Sequence, residues 1–357
     1  MRSLAEGNWF KLICGASYQH LPAIRSLALA YSLAGADCID VAADSAVISA
    51  ASEGITVAAK LQAGSAIYQK PLLMVSLNDA EDPHFRKAQF DAAQCPQDCP
   101  RPCEAVCPAS AINGSGVIDR LCYGCGRCLP VCPQGLIITR SYVSTPDTVI
   151  PLLREMKVDA VEIHTQPGHF DQFALLWRSL APAIEHLKVL AISCCDGDNV
   201  VKYMRSLYDL ITPLPYPLIW QTDGRPMSGD IGAGTTHATV KFAQKIIDAN
   251  LPGYIQLAGG TNSYTITKLK SAKMLHNSLD RPDLARQKVS GVAYGSYARA
   301  LLLPILEQLE TIDGSENNLD LRAKTLESNP QLLQQAIEEA HNLVSQIKTD
   351  AFKPIYR

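Results

Sequence analysis

Residues 95–108 read CPQDCPRPCEAVCP and residues 122–133 read CYGCGRCLPVCP; between Cys95 and Cys132 stand eight of the chain's twelve cysteines. The second run, Cys122-x2-Cys125-x2-Cys128-x3-Cys132-Pro133, has the bacterial ferredoxin spacing. Two-residue steps let three thiolates converge on one corner of an iron–sulfur cube. The fourth cysteine, ahead of proline, points away and completes the neighbouring cluster. On this crossed logic one cluster takes Cys95, Cys99, Cys103 and Cys132, and the other takes Cys107, Cys122, Cys125 and Cys128. The expectation is two 4Fe–4S clusters.

The first run departs from that spacing, with three residues between successive cysteines at 95, 99, 103 and 107. Pro96, Pro100 and Pro102 forbid a continuous helix, so this is a turning loop. Longer steps still wrap a cluster, but one of the first three cysteines is then a poorer ligand. This cluster is the one open to a 3Fe–4S form. Zinc uses four thiolates in short Cys pairs and needs neither the triple run nor the Cys-Pro ending. Disulfides suit a secreted chain. The N-terminus MRSLAEGNWFKLICG has no signal-peptide apolar core, and no 18-residue apolar stretch predicts a membrane span. The reading is a soluble cytoplasmic protein whose clustered cysteines are metal ligands. With 357 residues, 47% hydrophobic, 19% charged and a formal charge of −3, the chain holds one large core plus an addition. A basic stripe is absent, which argues against nucleic acid.

Outward from the cysteines, apolar runs alternate with helical patterns. Runs at Phe10–Cys14, Cys38–Ala42, Leu72–Leu77, Ala160–His164, Val189–Ser193, Leu218–Gln221, Tyr254–Ala258 and Gly291–Tyr294 predict strands. Helical stretches follow them at Leu21–Ala34, Ser45–Ala63, Thr145–Lys157, Phe170–Leu187, Asp198–Ile211, Thr236–Asn250, Thr267–Asn277 and Ser296–Leu309. This predicts an α/β protein, a (β/α)8 TIM-like barrel in four parts. Residues 1–83 begin the barrel, 84–137 are an inserted ferredoxin-like segment, 138–312 complete the barrel, and 313–357 form a tail with a C-terminal helix over 330–348. Without insertion and tail the barrel is close to the roughly 250 residues typical of that fold. An open doubly wound sheet is the alternative.

The insertion follows strand three, so it emerges on the face where barrel enzymes keep their sites. AGGTN (258–262) and GSYAR (295–299) emerge there too. Gly259, Gly260 and Gly295 would let backbone N–H groups approach an anion, with Arg299 supplying charge; a flavin or quinone-like molecule is the expected class. His164, with Glu162 two residues before it, is either an acid–base group or a structural histidine. Cys194-Cys195 is either a buried pair or a redox thiol, while Cys14 and Cys38 belong to the core. The loop GRPMSGDIGAGTTH (224–237) has the composition of a lid.

The ferredoxin run in this setting, with FKLICGASYQHLPAIR (10–25) in front and IQLAGGTNSYT (255–265) and VAYGSYAR (292–299) near the end, resembles the light-dependent period protein A family of cyanobacteria over the whole chain. The resemblance implies an iron–sulfur protein that reports cellular redox state, a proxy for light, to the circadian clock, with clock-associated proteins as partners. It implies the same eight cysteines as cluster ligands and supplies no catalytic residue to carry over; the favoured reading is a redox sensor or electron carrier, with enzymatic activity left open. The competing class is an oxidoreductase passing electrons from the clusters to a flavin or small substrate at the barrel mouth.

Overall fold

The computed structural model describes residues 1–65, 68–141, 143, 145–224, 232, 234–276, 288–313 and 325–348. Eight parallel strands close on themselves in sequence order: β1 (Trp9–Gly15), β2 (Cys38–Ala42), β3 (Leu72–Asn78), β4 (Ala160–Thr165), β5 (Val189–Cys195), β6 (Leu218–Asp223), β7 (Tyr254–Ala258) and β8 (Val289–Tyr294). Trp9 pairs with Gly291, which joins the last strand to the first. The chain is therefore a (β/α)8 barrel and not an open sheet. Strands covered on both faces need apolar residues at nearly every position, and these strands are almost entirely buried.

The outer helices are α1 (Leu21–Leu33), α2 (Ser45–Leu61), α3 (Pro146–Glu155), α4 (Phe170–Leu180), α5 (Val200–Ile211), α6 (Thr236–Asp248), α7 (Thr265–Ser271) and α8 (Ser296–Asp313). Several are shorter than their sequence pattern. Pro182 turns 181–183 into a tight 3-10 turn, so α4 stops at Leu180 instead of Leu187. Helix α7 starts at Thr265 and ends at Ser271; Asn277, its expected end, lies outside the described residues. Helix α8 runs on past Leu309 to Asp313. A short helix not expected from the sequence, Arg2–Glu6, plugs the bottom of the barrel. Its Leu4 packs there with Trp9, Met74 and Ile219.

The tail helix α9 (Pro330–Val344) ends before the expected Lys348, and Asn329 caps it by accepting a hydrogen bond from the Leu332 N–H at 3.1 Å. It docks on α1 and α8 through Leu332, Ala336, Ile337, Ala340, Leu343 and Val344. Arg25 of α1 holds the approach to it with two guanidinium bonds to Glu327, of 2.9 and 2.5 Å. Burial raises the Glu327 carboxyl, but the hydrogen bond and charge of Arg25, together with the local backbone N–H and Thr325, outweigh this and hold it below its ordinary value. The pair therefore stabilises above about pH 4.5 and loses its contribution as the pH falls through the lower folded value. Arg25→Ala is expected to cost about 1–2 kcal/mol near neutral pH, since both groups are partly screened. Denaturant unfolding on either side of that pH checks it. A penalty that does not shrink on acidification would dismiss the pair.

Between β3 and α3 the cysteine segment stands on a two-stranded neck. Arg86–Gln89 pairs antiparallel with Ile138–Ser141. Ser17, after β1, donates its hydroxyl to the His84 carbonyl. Lys87, 1% exposed, donates to Gln19 Oε1 at 2.7 Å and to Asp119 Oδ2 at 2.8 Å. The neck is thus pinned to the barrel by side chains of the β1–α1 loop.

Candidate iron–sulfur centre and barrel mouth

The insertion has its own apolar centre, where Ala88, Ala111, Ile112 and Ile137 pack with Cys103, Cys122 and Cys128. Cys107, Cys122, Cys125 and Cys128 line one cavity there, together with Ala88, Ala111 and Ile112. The Ala88 N–H donates to Cys122 Sγ at 3.4 Å and the Ala111 N–H to Cys107 Sγ at 3.2 Å. Burial pushes the Cys128 thiol up to about 12, with Cys125 and Cys122 next in effect. Gly124, between Cys122 and Cys125, has φ 71°, and a Cβ there would lie 2.0 Å from the Arg86 carbonyl oxygen. Only glycine lets this loop lie against the neck. Four sulfurs in a small apolar chamber, with N–H groups aimed at two of them, fit an iron–sulfur cube.

The other four cysteines form a second neighbourhood. The thiol of Cys95 is raised by burial, then by Cys99, and Cys103 adds to it; Cys103 in turn feels Cys132. Burial raises Cys132, but the backbone N–H groups of Leu136, Gln134, Ile137 and Gly135 outweigh it and favour the thiolate. The first cysteine run is not loop throughout. Pro102–Ala105 makes one helical turn with Pro102 at its first position, which an N-terminal proline tolerates.

The barrel mouth lies beneath the insertion. One cavity there is lined by Tyr123, Gly259, Gly260, Gly295 and Arg299, and by His84, Glu162, His164 and Asp223. The expected ligand residues Gly259, Gly260, Gly295 and Arg299 therefore meet at one cavity. Gly260 has φ 98°, and a Cβ there would press to 2.9 Å on the Thr235 carbonyl oxygen. Arg299 donates to the carbonyls of Ile13 and Cys14, both at 3.0 Å, and to Ser296 Oγ at 3.0 Å. Its Nε is buried without a partner among the described residues. The guanidinium carbon sits 4.3 Å from the centre of the Tyr123 ring. Tyr123, flanked by Cys122 and Cys125, is thus a shared wall of the cysteine chamber and the barrel mouth.

Below the cavity, the inward-facing positions of the strands form a polar layer. Lys11 donates to Glu162 and lies 3.8 Å from Asp40. Asp40 accepts from Ser76 Oγ at 2.8 Å, and Glu162 accepts from Gln221 Nε2 at 2.8 Å. Gln256 bonds Gln221 at 2.6 Å and takes a bond from the Trp9 indole at 2.7 Å. Burial raises the Glu162 carboxyl, and the Lys11 charge with the His164 hydrogen bond hold it well below the carboxylate range. Burial also lowers His164, but Glu162 and Asp82 outweigh it and lift the imidazole to about 9. Of the paired cysteines, Cys194 is buried and Cys195 half-buried. Burial pushes both thiols up, so neither is an activated thiolate. Cys14 and Cys38 are buried, as expected. The expected lid lies for the most part outside the described residues, at 225–231 and 233.

A model of the light dependent period A C-terminal domain matches residues 152–346, more than half of the chain. A protein of Synechococcus elongatus described as "Light dependent period A" is 48% identical over 348 residues, covering 98% of this chain and 93% of that protein. The chain belongs to the light dependent period A family. A second model, the LdpA Fe-S cluster-binding domain, matches residues 95–143. This member of the light dependent period A family is therefore an iron–sulfur protein, and its matched segment holds all eight clustered cysteines with the second neck strand. No helix among the described residues is long and apolar enough to cross a membrane.

Four residues of the mouth escape a reading of the sequence. Lys11 and Asp40 are hidden in the apolar runs FKLIC and CIDVA, although a lone charge at the centre of a strand buried on both faces signals a polar layer. Asp82 and His84 stand at the edge of the cysteine segment, and nothing local marks them.

Proposed function

We propose that the protein holds two 4Fe–4S clusters and uses their redox state as its input signal, delivering it to partner proteins of a light-dependent circadian clock. One cluster is held by Cys95, Cys99, Cys103 and Cys132, and the other by Cys107, Cys122, Cys125 and Cys128. A bound cluster supplies one-electron chemistry at a potential set by hydrogen bonds, charge and exposure around its sulfurs. The protein's own contribution is the apolar chamber, the N–H groups at Cys107 and Cys122, and the Tyr123 wall. Tyr123 carries the proposal. It places a residue of the second cysteine run against Arg299, which is tied to the end of β1 and to the start of α8. A change of charge in the chamber is thereby felt by the barrel. The name of the Synechococcus elongatus relative supports the link to light and period.

Purified without oxygen, the protein is expected to be brown and to contain about eight iron and eight labile sulfide per chain. A count of one metal ion per four thiolates, without sulfide, would sink the cluster reading. The glycine-lined cavity and the unpartnered Arg299 Nε favour one second reading, an oxidoreductase with a flavin or quinone-like molecule at the mouth. A yellow colour that survives removal of the clusters would decide for it.

A further inference from the structure

We propose that Asp82, His84 and His164 form a mononuclear site for a divalent metal, zinc or ferrous iron, at the barrel mouth. This goes beyond the cluster reading and does not depend on it. The three side chains come from two places in the fold. Asp82 and His84 sit at the foot of the insertion, where the Asp82 carboxylate caps the turn Pro83–Phe85 by accepting the His84 N–H at 2.8 Å. His164 comes from the top of β4 and faces inward. Asp82 Oδ1 lies 2.9 Å from His84 Nδ1 and 3.9 Å from His164 Nδ1. One donor atom from each residue falls within 4.8 Å of the other two. Donors bound about 2.0–2.2 Å from one ion lie roughly 3–4 Å apart, so a small closure completes the set.

A second observation concerns the far side of His164. Its Nε2 lies 2.9 Å from Glu162 Oε1, while Glu162 is itself fixed by Lys11 and by Gln221. An imidazole that donates one N–H to a buried carboxylate presents the lone pair of its other nitrogen once an incoming metal has displaced the proton there. This carboxylate–histidine arrangement is the usual support of a metal-bound histidine. Here it turns Nδ1 toward Asp82 and His84. Phe85 packs edge-on against the His164 ring at 5.1 Å and holds its plane.

Two further features suit a cation. Asp40, Asp82, Glu162 and Asp223 are all buried around this end of the mouth, with Lys11 as the ammonium among them. His84 and His164 also line the mouth cavity, so any metal they hold keeps a coordination position open toward it. Two imidazoles and one carboxylate suit zinc or ferrous iron, whereas calcium and magnesium ask for oxygen donors throughout.

The test uses full-length, cluster-loaded protein, prepared without oxygen, treated with a mild chelator and titrated with cobalt(II) and then zinc. The expected result is one cobalt per chain, with weak visible ligand-field bands and no thiolate charge-transfer band. Zinc should displace it while iron and sulfide stay unchanged. His84→Ala and Asp82→Asn should abolish the stoichiometric binding. Glu162→Gln should weaken it about 10–100-fold, as loss of a supporting carboxylate does. Should His84→Ala lose its clusters, His84→Gln, which keeps side-chain bulk, replaces it. The proposal is overturned if no cobalt binds, if binding ignores the His84 and Asp82 variants, or if the spectrum shows sulfur ligation.

Discussion

Serine in place of Cys125 is expected to remove one cluster outright, about four of eight irons, while serine in place of Cys99 leaves that cluster's signal intact. Cys125 stands between Gly124 and Gly126 in the chamber it shares with Cys107, Cys122 and Cys128. Its chain is pressed against the neck and has no freedom to offer another donor. A hydroxyl is a far weaker ligand for iron than a thiolate. Cys99 belongs to the other neighbourhood, with Cys95 and Cys103. Iron and sulfide analysis, with electron paramagnetic resonance of the reduced proteins, reads both variants. If the two substitutions erase both signals alike, the eight cysteines do not divide into two sets of four.

Lys11→Met is expected to cost about 3–5 kcal/mol, because it removes the buried ammonium that Asp40 and Glu162 share and leaves Glu162 with His164 alone. Lys11 is 0% exposed, as is Glu162, so water cannot replace the lost ammonium. Methionine has similar length, which keeps a cavity from confusing the result. Adding Glu162→Gln should restore part of the loss by removing one of the two buried carboxylates. Denaturant unfolding of the single and double variants measures both numbers. A Lys11→Met cost below about 1 kcal/mol would show that the layer is solvated or that its carboxylates take up protons freely.

The barrel is legible in the sequence because each strand is an apolar run closed by glycine or a polar loop, and because its helices keep their spacing. Helix ends are less so: the fourth outer helix stops early at Pro182, a residue its apolar pattern runs straight through. The cysteine chamber is legible for a different reason. Three of its four cysteines lie within seven residues, 122–128, and their spacing alone brings them to one cavity. The neck strands RKAQ and ITRS show no apolar alternation and are made strands by pairing with each other. The mouth is hardest to foresee. Asp82 and His164 meet across the whole insertion, and the parallel pairing of β3 with β4 brings them together.

The neck carries one more consequence, in the entropy of assembly. Its outermost pair, Arg86 with Ser141, encloses the 54 residues between them. Zipping those strands over a slack chain of that length costs roughly 3–4 kcal/mol of closure entropy, set against four residue pairs and the anchors at Ser17 and Gln19. Iron that gathers the cysteines shortens the free chain before the zipper forms. A chain starved of iron is therefore expected to show its neck amides exchanging with water long before those of the eight barrel strands do.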